Sequence, residues 1–285
     1  MTHGTKKPDW IRRTYGVSPA GEATAALLED LRLNTVCREA DCPNHIECFS
    51  KKTATFMILG VHCTRNCRFC NVTNAPPEAV DADEPARVGA AVARLGLKYA
   101  VITSVTRDDL PDGGAAHFAD VIAQTRRQSP HTAIEVLIPD FGGSEQALRT
   151  VAEAGADVIS HNMETVAELY GKVRPEAVYD RSLRVIEAIA AFAPSVRRKS
   201  GIMLGLGETE AQVSVLLRDL FRVGCEFLTI GQYLAPSKKH LEVVEYISPE
   251  GFDAYGRMAR EIGFAFVVSA PFVRSSYRAG EALGL

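Results

Sequence analysis

The sequence predicts an α/β protein of six consecutive strand–helix units, built as an incomplete barrel or an open doubly wound sheet. Two observations predict it. Short apolar runs rich in β-branched residues alternate with amphipathic stretches from residue 54 onward. That alternation argues for parallel strands joined by helical crossovers. Polar clusters follow the strands, where parallel sheets carry their chemistry.

The first unit pairs a strand over 54–61 with a helix over 84–95. The second pairs 98–103 with 115–128, the third 132–138 with 144–154, and the fourth 157–160 with 180–192. A fifth strand over 200–205 precedes a helix over 209–223, and a sixth strand lies over 226–230. A further helix, 249–262, leads to a last apolar run at 264–268. Residues 1–50 lack sustained strand periodicity, and the Pro-rich stretch 74–85 reads as a surface loop. The layout expected is an N-terminal extension over 1–50, a body over 51–248, and a C-terminal helix, strand and RSSY segment over 249–285.

A chain of 285 residues that is 46% hydrophobic can bury a sizeable core. Its net charge of −3 gives no reason to expect nucleic acid or an anionic membrane. No apolar stretch approaches the ~20 residues that span a bilayer. The opening MTHGTKKPDW runs straight into charges and lacks the apolar core of a secretion signal. A cytoplasmic protein is expected.

The seven cysteines, at 37, 42, 48, 63, 67, 70 and 225, carry the strongest signal. Their odd number and the reducing cytosol argue against a disulfide framework. Cys63, Cys67 and Cys70 form CxxxCxxC directly after the first strand. Three clustered thiolates leave a zinc ion one ligand short, and His62, adjoining Cys63, is poorly spaced to complete it. A four-iron cluster held by three cysteines instead keeps one iron open. Cys37, Cys42 and Cys48 form CxxxxCxxxxxC among hydrophilic neighbours, which suggests a second metal centre rather than core or redox cysteines. Cys225 stands alone beside an apolar run and reads as a small core residue.

CxxxCxxC at the first of six βα units resembles the radical S-adenosylmethionine (SAM) superfamily, with Phe69 at its usual aromatic position. The resemblance narrows when both trios are taken together. CxxxxCxxxxxC followed by CxxxCxxC is similar to the lipoyl synthases, as are ATFMILG at 54–60, VITSVTRDDLPDGGAAHFA at 101–119 and SHNMET at 160–165. KSGIMLGLGET at 199–209, GQYLAPS at 231–237 and VRSSY at 273–277 extend the likeness over nearly the whole chain.

The resemblance implies a partial (β/α)6 TIM-type barrel, with an N-terminal cysteine-rich extension and a short C-terminal segment closing over the barrel mouth. It implies two 4Fe-4S clusters, one on Cys63, Cys67 and Cys70, the other on Cys37, Cys42, Cys48 and a serine of RSSY. Ser276 is the expected ligand and Ser275 the alternative. For SAM it implies Ser104 and Asp108 at the amino group, and His161, Asn162 and Glu164 at ribose or methionine. Arg174 would pair with the carboxylate as a fork, and the run containing Gly205 and Glu208 would line the adenine. Taken alone, that Gly-rich turn could instead cradle a phosphate, though no GK[ST] follows it.

The reaction implied is insertion of sulfur at carbons six and eight of an octanoyl group amide-linked to a lysine. It would use two SAM per turnover, with the second cluster as sulfur donor. Implied partners are an octanoylated lipoyl-carrier domain (a 2-oxoacid dehydrogenase subunit or glycine-cleavage carrier protein), a reducing electron donor and a cluster-rebuilding protein. Arg197, Arg198, Lys199, Lys238, Lys239 and His240 are expected to form a basic rim for an acidic carrier. The rivals are a biotin-synthase-like sulfur-inserting enzyme, a zinc-binding module, and a degenerate barrel acting as redox sensor.

Overall fold

A computed structural model describes residues 7–11, 18–51 and 54–285. The charged run 1–6 lies outside the described residues. The chain opens with α1 (Pro19–Asp30), capped by Ser18, whose hydroxyl accepts from the Gly21 N–H. A two-residue strand, β1 (Asn34–Thr35), then pairs antiparallel with β2 (Thr55–Ile58). Periodicity cannot reveal a strand this short. Between them, α2 (Val36–Glu39) and α3 (His45–Ser50) carry the first cysteine trio.

After β2, β3 (His62–Cys63) and β4 (Thr73–Asn74) pair with each other. The regular alternation follows: α4 (Glu84–Leu95), β5 (Tyr99–Ser104), α5 (Ala115–Gln128), β6 (Ala133–Leu137), α6 (Glu145–Ala152) and β7 (Val158–Ser160). A short α7 (Tyr170–Val173) precedes α8 (Tyr179–Phe192), β8 (Arg197–Leu204), α9 (Glu210–Arg222), β9 (Phe227–Gln232), α10 (Pro249–Ile262) and β10 (Phe266–Ser269). Helix starts follow capping chemistry, with Thr209 and Gln212 forming a capping box on α9 and Ser248 capping α10 before a proline.

The main sheet runs β1-β2-β5-β6-β7-β8-β9-β10, parallel from β2 to β10. It is a barrel-like sheet whose two edges do not join. The six expected strands are all present. The last apolar run adds another parallel strand by pairing β10 with β9.

The strands are apolar on both faces, as a covered parallel sheet requires. Val88, Val92, Phe118 and Ile122 of α4 and α5 pack against Phe56, Ile58, Ile102 and Ile134, all essentially buried. A second apolar cluster joins β8 and β9 to α9 and α10 and includes Cys225. No helix among the described residues is long and apolar enough to cross a membrane.

At the amino ends of the strands, the Lys199 ammonium lies 2.9 Å from both Glu135 carboxylate oxygens. The Tyr99 hydroxyl donates to Glu135 at 2.6 Å. Lys199 and Glu135 are only 3% and 0% exposed. The basic rim expected from 197–199 is therefore corrected. These residues begin β8, away from the carboxyl ends, where Arg197 and Arg198 pair with Glu226 and Lys199 faces inward. Only Lys238, Lys239 and His240 lie in a loop after a strand. A run of positive residues in sequence carried no information about which end of a strand it occupies.

Candidate active site

The exit of β2 sets the site. Leu59 adopts a left-handed φ of 69° and Gly60 one of 97°, so the chain leaves the strand in a sharp turn. The Leu59 peptide is held on both sides. Its N–H donates to Glu84 at 2.9 Å and its carbonyl accepts from Arg107 at 3.0 Å. Glu84 is buried and also meets His117 Nε2 at 2.7 Å.

The loop that follows is tied to the segment after β5. The Thr64 N–H donates to the Thr106 carbonyl at 3.0 Å, and the Thr106 N–H donates to Cys63 Sγ at 3.3 Å. Asn74 donates to the Cys63 carbonyl at 3.0 Å, and the Arg68 N–H to the Val173 carbonyl at 3.0 Å. His240 Nε2 lies 3.1 Å from the Cys70 carbonyl, bringing the loop after β9 against the same turn. Phe69 packs on Val173, Leu206 and Tyr233, which gives the aromatic between the cysteines a packing role.

The first trio in sequence, Cys37, Cys42 and Cys48, stands on α2, α3 and the turn between them. The Cys42 N–H donates to the Cys37 carbonyl at 3.1 Å, which folds the turn back on itself. Cys37 is 5% exposed and belongs to the main core despite its hydrophilic neighbours, because α2 turns that face inward. The C-terminal segment reaches this trio. Asn44 donates to the Phe272 carbonyl at 2.7 Å, and Thr55 Oγ1 donates to Ser276 Oγ at 2.8 Å. Ser275 instead donates to Asn162 Oδ1 at 2.9 Å.

All this converges on one cavity of about 690 Å³. Cys63, Cys67 and Cys70 line it, and so do Cys37, Cys42, Ser275 and Ser276. Cys48 is not on its wall, but lies close enough to Cys37 and Cys42 to feel their charge. All seven cysteines are free thiols. Burial pushes the Cys37 thiol up to about 11 and those of Cys48 and Cys70 up to about 12. Such thiols hold their protons at neutral pH until a metal centre displaces them.

Among the described residues, no three Cys, His, Asp or Glu side chains converge on a site for a single metal ion. In an iron–sulfur cube each thiolate takes a different iron, so its ligands stand further apart than around one ion. One full trio of free thiols and two of the other three open on the shared cavity, with Cys48 beside them, which fits that donor set. Ser104 Oγ, His161 Nε2 and Arg174 Nε are buried with no partner among the described residues, and all three residues line the cavity, which suits a polar ligand there.

Of the residues expected at SAM, Ser104, His161, Asn162, Glu164 and Arg174 come together on the cavity wall. Arg174 spends one guanidinium nitrogen on the Asn162 carbonyl at 2.8 Å and the Tyr170 hydroxyl at 3.0 Å. Three others are not on that wall. Asp108 faces Arg65, bonded at 2.7 and 2.8 Å. Glu208 turns back to accept from the Gly205 and Leu206 N–H groups of its own loop, and Gly205 is crowded by Gln232. From that run Gly201, Ile202 and Met203 line the cavity instead. Sequence reading passed over Arg65, although it lies inside the CxxxCxxC motif; Thr106 lies within the run from Ser104 to Asp108 expected at SAM, and lines the cavity.

Residues 57–220 match the Radical SAM superfamily. The lipoyl synthase of Alkaliphilus metalliredigens is 53% identical over 278 residues, covering 98% of this chain and 96% of that protein. That of Caldicellulosiruptor saccharolyticus is 54% identical over 277 residues, covering 97% of each. The chain belongs to the lipoyl synthase family. Among solved structures, methylornithine synthase shares the fold, with a TM-score of 0.54 and 14% identity over 89% of this chain and 82% of that one. Membership of the lipoyl synthase family does not favour the biotin-synthase-like alternative. It also gives the barrel-like sheet of this radical SAM enzyme its context: the cysteine loop, like the other cavity-lining loops, follows a strand's carboxyl end.

Proposed function

We propose that this lipoyl synthase family member binds two 4Fe-4S clusters and inserts sulfur at carbons six and eight of a protein-bound octanoyl-lysine. Two SAM molecules would be used per product. The observation that carries the reading is one cavity lined by Cys63, Cys67 and Cys70 and by Cys37, Cys42, Ser275 and Ser276, with Cys48 set beside Cys37 and Cys42 behind its wall. When bound, the cluster and SAM supply a radical able to take hydrogen from an unactivated carbon, and the second cluster supplies sulfur.

The chain's own residues do the rest. Cys63, Cys67 and Cys70 hold the first cluster and leave one position for SAM. Cys37, Cys42, Cys48 and Ser276 hold the second, with Ser276 favoured over Ser275 because Thr55 links it to Cys37. Ser104, His161, Asn162, Glu164 and Arg174 offer polar groups to SAM. Met57, Leu137 and Ile202 give the cavity apolar wall suited to an alkyl chain. Enclosure confines the radical, so that it meets the octanoyl chain before side reactions can consume it.

The substrate carrier would be a lipoyl domain of a 2-oxoacid dehydrogenase or the glycine-cleavage carrier protein, served by a reducing electron donor and a cluster-rebuilding protein. Seven free thiols suit a reducing compartment, the cytoplasm. The test is anaerobic reconstitution with an iron count, for wild type and the Cys37/Cys42/Cys48→Ala variant. About eight irons falling to about four, with SAM cleavage kept and octanoyl sulfuration lost, supports the reading. About four in both would overturn it.

A further inference from the structure

Arg65 lies midway between Cys63 and Cys67, yet its side chain is only 7% exposed and points away from solvent into three carboxylate contacts. Nε and Nη2 grip Asp108 at 2.7 and 2.8 Å, and Nη2 also reaches Asp140 at 2.7 Å. Asp140 is 0% exposed, is approached on its other oxygen by Arg181 at 3.4 Å, and accepts from the Gly142 N–H at 3.1 Å. Asp108 follows β5 and Asp140 follows β6. One guanidinium in the cysteine loop is thus bound to the carboxyl ends of two neighbouring strands.

The same loop is tied nearby through Thr64 and Cys63 to Thr106, as described above. Thr64 and Arg65 share Asp108, since Thr64 Oγ1 accepts from the Asp108 N–H at 3.1 Å. Three residues of the loop, Cys63, Thr64 and Arg65, therefore converge on two residues after β5, Thr106 and Asp108. A bidentate guanidinium–carboxylate pair fixes orientation as well as distance, which a lysine's single ammonium does not. Arg65 offsets its burial through this pairing, and removing it leaves buried Asp140 to the more distant Arg181 and the Gly142 N–H.

We propose that Arg65, with Asp108 and Asp140, is a positioning residue that holds the CxxxCxxC loop against the β5 and β6 exits and so sets where Cys63 and Cys67 present their sulfurs. Its guanidinium is engaged by the two carboxylates at the edge of the cavity it lines. Asp108 serves the cysteine loop rather than SAM. The inference rests on Cys63, Cys67 and Cys70 being cluster ligands, but the geometry it concerns exists in the metal-free chain.

The experiment uses metal-free, reduced, full-length protein and follows alkylation of each cysteine by iodoacetamide with peptide mass spectrometry. The variants are Asp108→Asn, whose carboxylate is 42% exposed and whose loss the fold can absorb, Arg65→Lys and Arg65→Gln. In Asp108→Asn, alkylation of Cys63 and Cys67 is expected about tenfold faster, the size of one lost charge-assisted hydrogen bond. Cys37, Cys42 and Cys48 should keep their wild-type rates. Arg65→Lys should fall between wild type and Arg65→Gln, a partial rescue that a purely volumetric role would not give.

With cluster reconstituted, the SAM concentration needed to change the reduced-cluster EPR spectrum should rise in the same order. Unchanged selectivity between the two trios in Asp108→Asn and both Arg65 variants overturns the proposal. So does an equal rise at all six cysteines, which would mean general loosening. Neither outcome bears on whether the enzyme makes a lipoyl group, which the iron count and product assay decide separately.

Discussion

Thr55 Oγ1 donates a 2.8 Å hydrogen bond to Ser276 Oγ, and the same threonine lies beside Cys37, holding its thiol below where burial alone would push it. One side chain at the start of β2 therefore joins a cysteine of the first trio to the serine of the RSSY segment. Ser275, one residue earlier, is turned to Asn162 instead. Ser276→Ala is expected to cut octanoyl sulfuration by roughly 100-fold or more while SAM cleavage continues, since loss of a coordinating or supporting group costs at least that order. Ser275→Ala should cost much less. Product and 5′-deoxyadenosine measured in the same reaction decide between them.

Gly231 is a glycine for a reason visible at its α-carbon. A Cβ there would collide with the carbonyl oxygen of Val273, a backbone atom that cannot rotate away. The approach lets the segment before Ser275 and Ser276 lie directly on β9. Gly231→Ala should push that segment off the sheet. The expected phenotype copies Ser276→Ala: sulfur insertion falls, SAM cleavage is largely kept, and the iron count drops toward the four of one cluster, about half the full complement. Equal loss of both activities would instead mean collapse of the barrel.

The Glu135–Lys199 pair predicts a non-additive cycle. Lys199→Met alone leaves a buried carboxylate supported only by Tyr99, a loss of about 3–5 kcal/mol. Glu135→Gln with Lys199→Met removes both charges, and should recover a large part of that loss. Urea unfolding of the two single variants and the double variant measures the coupling. Simple additivity would show that the ammonium does not depend on this carboxylate.

Burial lowers the His161 imidazole from its usual 6.5 to about 4, with Arg174 adding repulsion. Its Nδ1–H donates to the Ile138 carbonyl at 2.9 Å, so the neutral ring presents Nε2 to the cavity as an acceptor. Between pH 6.5 and about 4 the unfolded chain binds a proton on this histidine that the folded chain refuses. Stability therefore falls as pH drops through that window, by about 3 kcal/mol in full. His161→Gln should flatten the dependence of unfolding free energy on pH there. A profile unchanged by the substitution would show that the imidazole titrates freely in the fold.

Much of this architecture was legible in the sequence. Helices over 84–95 and 115–128 coincide with α4 and α5 because amphipathic periodicity and their end signals agree. The cysteine motifs were legible because spacing alone limits what three thiols can bind. The direction of side chains was not. Asp108 stands after β5, as a cofactor contact should, but faces an arginine 43 residues away in sequence, which no local pattern encodes. Gly205 and Glu208 look like a ligand cradle, yet the carboxylate closes its own turn. Strand polarity, too, escaped reading of the basic run at 197–199, whose place at the amino end of β8 is set by pairing with β7 and β9.

The contacts of the early helices with the RSSY segment bear on the order in which the molecule can be made. Asn44 with Phe272, Thr55 with Ser276, and Glu47 with Tyr277 are separated by 228, 221 and 230 residues. On the ribosome, the first trio emerges long before its partners exist, with most of the sheet still to be translated. Domains fold progressively during synthesis at about 5–20 residues per second, so this trio waits on the order of ten seconds or more. During that interval its thiols are open to stray metal or oxidant. On the proposed reading of this trio as a cluster site, loading it is best delayed until residue 277 has left the exit tunnel.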